Sequence, residues 1–369
     1  MKKHLSLLLI VSLFCGLCAC GAAPGSPEQT AAQTEPPKEV RRTLTTISAA
    51  ELNGRIKLFG RTAIVDRGIS CDFSASGFEF KVNCEGDITF HVTSNSTSNT
   101  YFRAYLDGVE SERRYAITRD FDMPVFKAVE PGEHTISFIR DTSVADRDVF
   151  IEGITMTCDP ATIEATPDKE LLIEFVGTSN TCASGVLCID TTTNSNNEAA
   201  TRGYAYLTAR ALDTDWMLTC KGGIGVAKEV KNGRNTLNLR QLYDTAYGFR
   251  DPDTPYQWTR HPDIVVLEVG PNDKLVGDAF VDVCLEMVDH VRTLHPDCKI
   301  LFLHAEESTK HTKDYPVILE KLGGSANKIW DCTTPNEGRS ALDGIHRNVE
   351  QNQACGEFVT AFIRDNLLS

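Results

Sequence analysis

Apolar and polar residues alternate with a period of two through the first part of the folded chain. Ile88, Phe90 and Val92 share one face of a segment whose other face is polar, and similar alternation recurs at residues 102–106, 134–139 and 149–154. Alternation of this kind predicts half-buried strands, and short strands separated by Gly, Asp and Pro are typical of antiparallel sheets. The pattern therefore predicts an antiparallel β-sandwich or jelly roll.

Beyond residue 169 the pattern changes to apolar strands that alternate with amphipathic helices. Strands are predicted at 171–176, 216–220, 263–269, 299–304 and 328–332, and helices at 199–212, 277–294 and 349–367. Phe358, Phe362 and Ile363 are expected to face inward from the last helix. This alternation predicts an α/β fold in which helices cover both faces of a parallel sheet, with the carboxyl ends of the strands at one edge.

The change of pattern divides the folded chain into two predicted domains. The antiparallel domain should span residues 44–159 and the α/β domain residues 170–369. The segment 160–169 between them contains two prolines and scattered charge, which is typical of a linker. At 369 residues the chain exceeds the usual size of one domain, in agreement with two abutting domains that each have their own sheet.

The first residues have the pattern of an export signal. Two lysines precede an apolar run that is too short to span a bilayer, and Leu17-Cys18-Ala19-Cys20 resembles a bacterial lipobox. Residues 1–19 are therefore predicted to be a lipoprotein signal peptide, and Cys20 the lipidated N-terminus at the cell envelope; a plain signal peptide is the alternative. Residues 20–43, which lack apolar periodicity, should form a disordered tether, so the membrane is contacted through the lipid only.

Charge and cysteine content limit the partners and the covalent structure. The formal net charge of −14 argues against nucleic acid, because neutralising phosphates requires a basic face. Of thirteen cysteines, those at 15, 18 and 20 belong to the signal region, which leaves ten. Pairs such as Cys182 with Cys188, or Cys71 with Cys84, could form disulfides in an exported protein, and buried thiols are equally consistent with the pattern. We expect a monomer.

Candidate catalytic side chains lie just beyond predicted strands of the α/β half. Ser179 follows the apolar run that stops at Gly177, so it should lie where open α/β sheets bind ligands, although a serine there can also simply cap a helix. Asp343 lies three residues before His346, in a turn that precedes the final helix. We predict that Ser179 is a nucleophile, that His346 is its base, and that Asp343 orients the imidazole through Nδ1.

Two further loops could stabilise a negatively charged oxygen. Gly223 lies in Gly222-Gly223-Ile224-Gly225, and Asn272 lies in Gly270-Pro271-Asn272-Asp273. The backbone N–H groups of Ser179 and Gly223, together with the Asn272 side-chain amide, are the predicted oxyanion donors. These residues together predict hydrolysis through a serine nucleophile.

Four short blocks of this sequence resemble those of the SGNH (GDSL-type) hydrolases in order and spacing. They are Gly177-Thr178-Ser179, the glycine at 223, Gly270-Pro271-Asn272-Asp273 and Asp343-Gly344-Ile345-His346. Residues 56–62, and 151–154 leading into 173–177, look like carbohydrate esterase family 2, and this resemblance covers nearly everything after the tether.

The resemblance implies both a fold and an activity. The implied fold is a flavodoxin-like, three-layer SGNH hydrolase domain, with a parallel sheet between helices, preceded by a β jelly roll. The implied enzyme is a serine acetyl esterase that removes acetyl groups from polysaccharides such as xylan and glucomannan, with no metal or cofactor.

Two positions depart from the family's pattern. Thr178 replaces the usual Asp, and we expect its hydroxyl to hydrogen-bond within the nucleophile loop. Ile345 and Arg347 flank His346 where the family usually has Trp and Pro, so sugar stacking there should be reduced. Two alternatives follow: a lipid-anchored carbohydrate-binding protein with weak or no catalysis, and an O-acetyl esterase that acts on peptidoglycan or host glycans.

Overall fold

The structure, a computed structural model, describes residues 41–96, 98–143, 147–192, 194–305, 309–335 and 343–369. The predicted signal peptide, Cys20 and nearly all of the predicted tether lie outside the described residues. Within these ranges, no helix has the length and apolar character needed to cross a membrane. The described residues belong to one compact unit.

An antiparallel sheet contains nine of the described strands. In chain order, β1 to β9 span Thr43–Ser48, Lys57–Phe59, Thr62–Val65, Gly68–Cys71, Gly77–Ser94, Thr100–Leu106, Val109–Ile117, Phe121–Arg140 and Val149–Ala165. The order across the sheet is β3-β4-β9-β5-β8-β6-β7, with β1 paired to β9 and β2 paired to β5. The four segments that the alternation predicts fall inside β5, β6, β8 and β9, and Ile88 and Phe90 are fully buried.

Strand β9 extends into the segment predicted as a linker. Residues 160–165 are strand, because this part of β9 still pairs with β5, where Glu164 lies opposite Lys81. Pro160 falls at a register shift between these strands, a position that tolerates proline since the ladder is already interrupted.

A separate parallel sheet forms the second half. Its five strands, all described, are β10 (Leu172–Gly177), β11 (Asp215–Cys220), β14 (Ile264–Leu267), β15 (Lys299–Ala305) and β16 (Ile329–Thr334). They lie in the order β11-β10-β14-β15-β16, and every neighbouring pair is parallel. A short hairpin, β12 (Val230–Asn232) and β13 (Asn235–Leu237), lies outside this sheet. The predicted α/β fold is therefore confirmed.

Helices pack on both faces of the parallel sheet. The α-helices of the described residues, α1 to α6, span Ala49–Leu52, Tyr204–Ala211, Leu239–Asp244, Asp278–Leu294, Asp314–Leu322 and Val349–Asn366. Val265 and Leu267 of β14 share a buried cluster with α4, whereas Ile264 and Val266 share one with α2 and α6. Successive strand residues thus face opposite helical layers, as a fully covered strand requires.

The last helix corrects one predicted orientation. Phe358 is 36% exposed, although it was expected to face inward, whereas Val359 and Ile363 are fully buried. Val359 and Ile363 are four residues apart and share one face of α6, and Phe358 lies about 100° away around the helix. The ten cysteines from Cys71 to Cys355 are all buried, and no disulfide joins any of them within the described residues.

Three buried contacts hold the antiparallel part against the parallel half. Arg61 Nη2 donates to Glu174 of β10 at 3.1 Å, and Arg61 Nη1 donates to the backbone oxygen of Thr245 at 2.6 Å. The Trp216 ring stacks on Phe59 with 4.5 Å between centroids. These contacts fix β10 and β11, the two strands from whose ends the first site loops emerge.

Candidate active site

Ser179 lies in a helical turn that directly follows β10. The backbone N–H of Cys182 donates to Thr178 O at 3.1 Å, and that of Ser184 donates to Ser179 O at 2.8 Å. A Cβ at Gly177 would overlap Thr181 Oγ1, so glycine lets the turn fold back closely on the strand end. Ser179 is half-buried at the carboxyl end of the sheet, where the sequence places it.

The Thr178 hydroxyl does not make the predicted hydrogen bond. Thr178 is 1% exposed, and its Oγ1 is buried without a hydrogen-bond partner among the described residues. The neighbouring Thr181 hydroxyl instead donates to Glu268 Oε2 and lies 3.1 Å from Tyr204 Oη. The prediction was wrong because the turn directs Thr181, rather than Thr178, toward the buried polar groups.

Asp343 and His346 form a hydrogen-bonded pair in the loop before α6. Asp343 Oδ2 accepts from His346 Nδ1 at 2.8 Å, and Oδ1 accepts from the backbone N–H groups of Ile345 and His346 at 2.8 and 2.9 Å. Burial raises the pKa of Asp343, but these hydrogen bonds outweigh burial and hold the pKa below its ordinary value. Since Nδ1 carries the proton of this hydrogen bond, the neutral ring has an unprotonated Nε2 that can accept one.

The nucleophile turn touches this pair at Gly185. A Cβ on Gly185 would overlap Asp343 Oδ2 and lie 2.9 Å from His346 Nδ1, and the backbone there has a φ of +71°. His346 is hydrogen-bonded through Nδ1 and its backbone N–H to Asp343, and not to Ser179 Oγ. Catalytic hydrogen bonds often tighten only when substrate binds, so the predicted contact between Ser179 and His346 stays a prediction.

One proposed oxyanion loop lies against Ser179, and the other is hydrogen-bonded to the first. A Cβ on Gly222 would lie 3.7 Å from Ser179 Cβ, and the adjacent Gly223 has a φ of +80°. Asn272 Nδ2 donates to the backbone oxygen of Ile224 at 2.8 Å, which ties the third loop to the second. The amide nitrogen of Asn272 carries a second N–H that can point to a reacting oxygen.

Known proteins share this fold. A curated protein of Cellvibrio japonicus (strain Ueda107), named acetylxylan esterase / glucomannan deacetylase, is 25% identical over 269 residues, covering 69% of this chain and 72% of that protein. A solved family two carbohydrate esterase from Cellvibrio japonicus has a TM-score of 0.77 at 19% identity, covering 88% of this chain and 98% of that one. The chain has the fold of a family two carbohydrate esterase.

A second solved relative was determined with a bound oligosaccharide. It is a family two carbohydrate esterase from Clostridium thermocellum in complex with cellohexaose, with a TM-score of 0.73 at 20% identity, covering 85% of this chain and 99% of that one. No protein-family model matches the chain. The predicted enzyme class, a serine esterase of the SGNH type, is confirmed by these relatives.

Asp273 has a positioning role that the sequence analysis did not assign. Its buried carboxylate accepts from the backbone N–H groups of Val226, Ala227 and Lys228 at 2.9 to 3.0 Å. A Cβ on Gly225 would overlap the same carboxylate, so this glycine is needed for the close approach. Asp273 thereby fixes the loop that contains Gly223, and its place directly after Asn272 was the signal available in the sequence.

Proposed function

We propose that this protein is a carbohydrate O-acetyl esterase with Ser179 as its nucleophile. The enzyme removes acetyl groups from acetylated polysaccharide of the xylan or glucomannan type. Support for this substrate class comes from the curated relative named acetylxylan esterase / glucomannan deacetylase and from the related esterase solved with cellohexaose. The observation that carries the proposal is the contact, at Gly185, between the nucleophile turn and the Asp343–His346 pair.

The proposed reaction proceeds in two steps. Ser179 Oγ attacks the acetyl carbonyl carbon while His346 Nε2 takes the serine proton, and Asp343 stabilises the resulting imidazolium. The sugar oxygen then leaves with that proton, and an acetyl-serine remains. Water attacks the acetyl-serine with His346 again as base, which releases acetate and restores the serine hydroxyl.

The negative oxygen of each tetrahedral intermediate is stabilised by three donors in this proposal. They are the backbone N–H groups of Ser179 and Gly223 and the second N–H of Asn272. Loss of one such donor in a serine hydrolase costs about 2.7–4 kcal/mol of transition-state stabilisation. Asp273 and the hydrogen bond from Asn272 to Ile224 hold two of these donors in position before substrate arrives.

An exposed aliphatic side chain directly precedes the base. Ile345 is 63% exposed and directly precedes His346. An aliphatic side chain offers a sugar ring apolar contact but no aromatic face, so we propose that stacking contributes less to substrate binding here than in the family's usual pattern.

A pair of serine substitutions tests the function. Ser179→Ala should abolish acetate release from acetylated xylan and hydrolysis of p-nitrophenyl acetate, while circular dichroism and the thermal midpoint stay unchanged. Ser184→Ala is the matched control, because Ser184 lies in the same turn near Gly222 but its hydroxyl donates to Glu198 at 3.3 Å. Wild-type turnover in Ser179→Ala would refute Ser179 as the nucleophile, whereas absence of acetate release by the wild-type protein itself would favour the carbohydrate-binding alternative.

We also propose a location and an architecture for the whole chain. Cys20 carries lipid, and the residues between Cys20 and β1 form a tether that holds the protein at the cell envelope. We propose that the protein is a monomer. A jelly roll that extends to the end of β9 at Ala165, followed by a hydrolase domain over 170–369, is supported by the two separate sheets. Metabolic labelling with a fatty acid tests the anchor, since label that persists in Cys20→Ala would exclude it.

A further inference from the structure

A buried carboxylate lies beneath the nucleophile turn and has no part in the proposed chemistry. Glu268, which directly follows β14, is 4% exposed, and its Oε2 accepts from the Thr181 hydroxyl and, at 3.4 Å, from the Tyr204 hydroxyl. Its backbone N–H donates to Val176 O at 2.9 Å. Glu268 is therefore attached to the strand before Ser179 and to the turn after it.

The same carboxylate also interacts with the segment of the base. Burial raises the pKa of Glu268 above its ordinary value, and the positive charge of Arg347, the next residue after His346, opposes this shift. Arg347 is itself buried, and its Nη2 donates to Thr334 Oγ1 of β16 at 2.9 Å. The backbone N–H of Tyr204 donates to Asn352 Oδ1 at 3.1 Å, and Asn352 Nδ2 donates to the backbone oxygen of Arg347 at 3.0 Å. Through Tyr204, hydrogen bonds therefore connect Glu268 to the segment of the base as well as to the turn of the nucleophile.

Burying a carboxylate is unfavourable unless hydrogen bonds or a charge compensate for the lost water. Here the compensation comes from Thr181, Tyr204 and Arg347, which belong to the nucleophile turn, α2 and the segment before α6. Moving any one of these segments would weaken a hydrogen bond or a charge interaction of Glu268. The carboxylate therefore resists relative motion of segments that are far apart in the sequence.

We propose that Glu268 is a positioning residue that sets the spacing between Ser179 and His346. Glu268 stabilises the nucleophile turn by accepting hydrogen bonds. The Thr178 hydroxyl does not do so, because it has no partner among the described residues. This inference rests on the proposed esterase function. A displacement of about 1 Å between reacting groups can lower a rate by about 100-fold, so a brace of this kind should appear in kcat.

Two substitutions at Thr181 test whether its hydrogen bond to Glu268 positions the nucleophile turn. Thr181→Val has nearly the same shape but cannot donate to Glu268, and Thr181→Ser keeps the hydroxyl. We expect Thr181→Val to lower kcat for p-nitrophenyl acetate at least about 10-fold with little change in KM, and Thr181→Ser to stay within about 3-fold of the wild type. The rate at which a fluorophosphonate labels Ser179 should fall in parallel.

Two further variants separate positioning from general stability. Glu268→Gln keeps the size and an acceptor oxygen but removes the charge, and it should also slow labelling of Ser179. Tyr204→Phe, which removes one hydroxyl and leaves the ring, should slow labelling even if Thr181→Val folds poorly. Tyr243→Phe is the control, because the Tyr243 side chain is equally buried but belongs to the hydrophobic cluster on the opposite face of the sheet from Tyr204. Its labelling rate should match that of the wild type.

The outcomes distinguish this inference from the function on which it rests. Wild-type kcat and labelling rates in folded Thr181→Val, Glu268→Gln and Tyr204→Phe would overturn the positioning role, even when Ser179→Ala is inactive. Losses that only follow the fraction of folded protein would also overturn it. Wild-type turnover in Ser179→Ala would instead refute Ser179 as the nucleophile.

Discussion

Asp343 Oδ2 accepts a hydrogen bond from His346 Nδ1 at 2.8 Å, while the other carboxylate oxygen accepts from the backbone of its own loop. The carboxylate is therefore fixed before it meets the ring, and it selects the tautomer that leaves Nε2 free of a proton. Because the hydrogen bonds lower the pKa of Asp343, this residue stays charged well into the acid range.

Asp343→Asn should remove most of the activity without unfolding the protein. Asn is similar in shape, but its amide can donate to Nδ1 and so favour the wrong tautomer, which in a comparable serine enzyme lowers kcat about 10⁴-fold. Initial rates with p-nitrophenyl acetate would measure the loss. Asp107→Asn is the matched control, since Asp107 holds His134 Nδ1 at the same 2.8 Å in the antiparallel sheet. Equal effects of the two variants would contradict the assigned role.

Gly185→Ala should separate the nucleophile turn from the base. The added Cβ would overlap Asp343 Oδ2 and crowd His346 Nδ1, so we expect kcat to fall by about 100-fold or more. Gly108→Ala serves as the control, because Gly108 has a similar φ of +77° but no atom within 4 Å of an added Cβ. Both variants carry about 1–2 kcal/mol of backbone strain, so a loss of kcat confined to Gly185→Ala would identify the contact as its cause.

Thr178→Val should stabilise the protein and leave its activity nearly unchanged. The Thr178 hydroxyl is buried with no partner among the described residues, and such a group costs about 1–3 kcal/mol of stability. Thr219→Val is the opposite case, since its buried hydroxyl donates to Glu174 at 2.7 Å, and it should destabilise the fold. Urea denaturation measures the free energy of unfolding of both variants against the wild type. A Thr178→Val protein that is less stable than the wild type would show that the hydroxyl is hydrogen-bonded.

His295 should make stability depend on pH. The side chain is 2% exposed, and burial, together with the positive charges of His261, Arg61 and His290, lowers its pKa to about 4. Between pH 6.5 and pH 4 the unfolded chain therefore binds more protons than the folded one. The lowered pKa of His295 therefore makes a contribution to the free energy of unfolding that is complete above pH 6.5 and is lost as pH falls toward 4. This contribution amounts to at most about 3 kcal/mol.

The substitution His295→Asn tests this dependence. Asn can replace the Nδ1 atom that lies 2.8 Å from His261 Nδ1, but it does not titrate. The free energy of unfolding in urea, measured from pH 7 to pH 4.5, should fall less steeply for the variant. If the free energy of unfolding falls equally steeply with pH in both proteins, groups other than His295 cause the loss of stability in acid.

The sequence by itself determined the main elements and the candidate chemistry. A strand buried on both faces is mostly apolar, as at Leu172–Gly177, whose one charged residue is the buried, ion-paired Glu174. A helix with one buried face repeats its apolar residues every three to four positions, as at Asp278–Leu294. Because parallel strands share one carboxyl edge, Ser179 and Asn272 could be assigned to the same edge from their places after two such strands. The Asp343–His346 pair was also predictable, since its members lie only three positions apart in the sequence.

Only the tertiary structure decided which side chains support these groups. Thr181, and not Thr178, meets Glu268 because the direction of a side chain depends on the conformation of the turn after Gly177. Gly185 contacts Asp343, which is 158 residues away in the sequence, and Asp273 accepts a hydrogen bond from Ala227, which is 46 residues away. No local periodicity in the sequence encodes contacts over such separations. The outward position of Phe358 likewise depends on which face of α6 meets the sheet, a choice made by packing between elements.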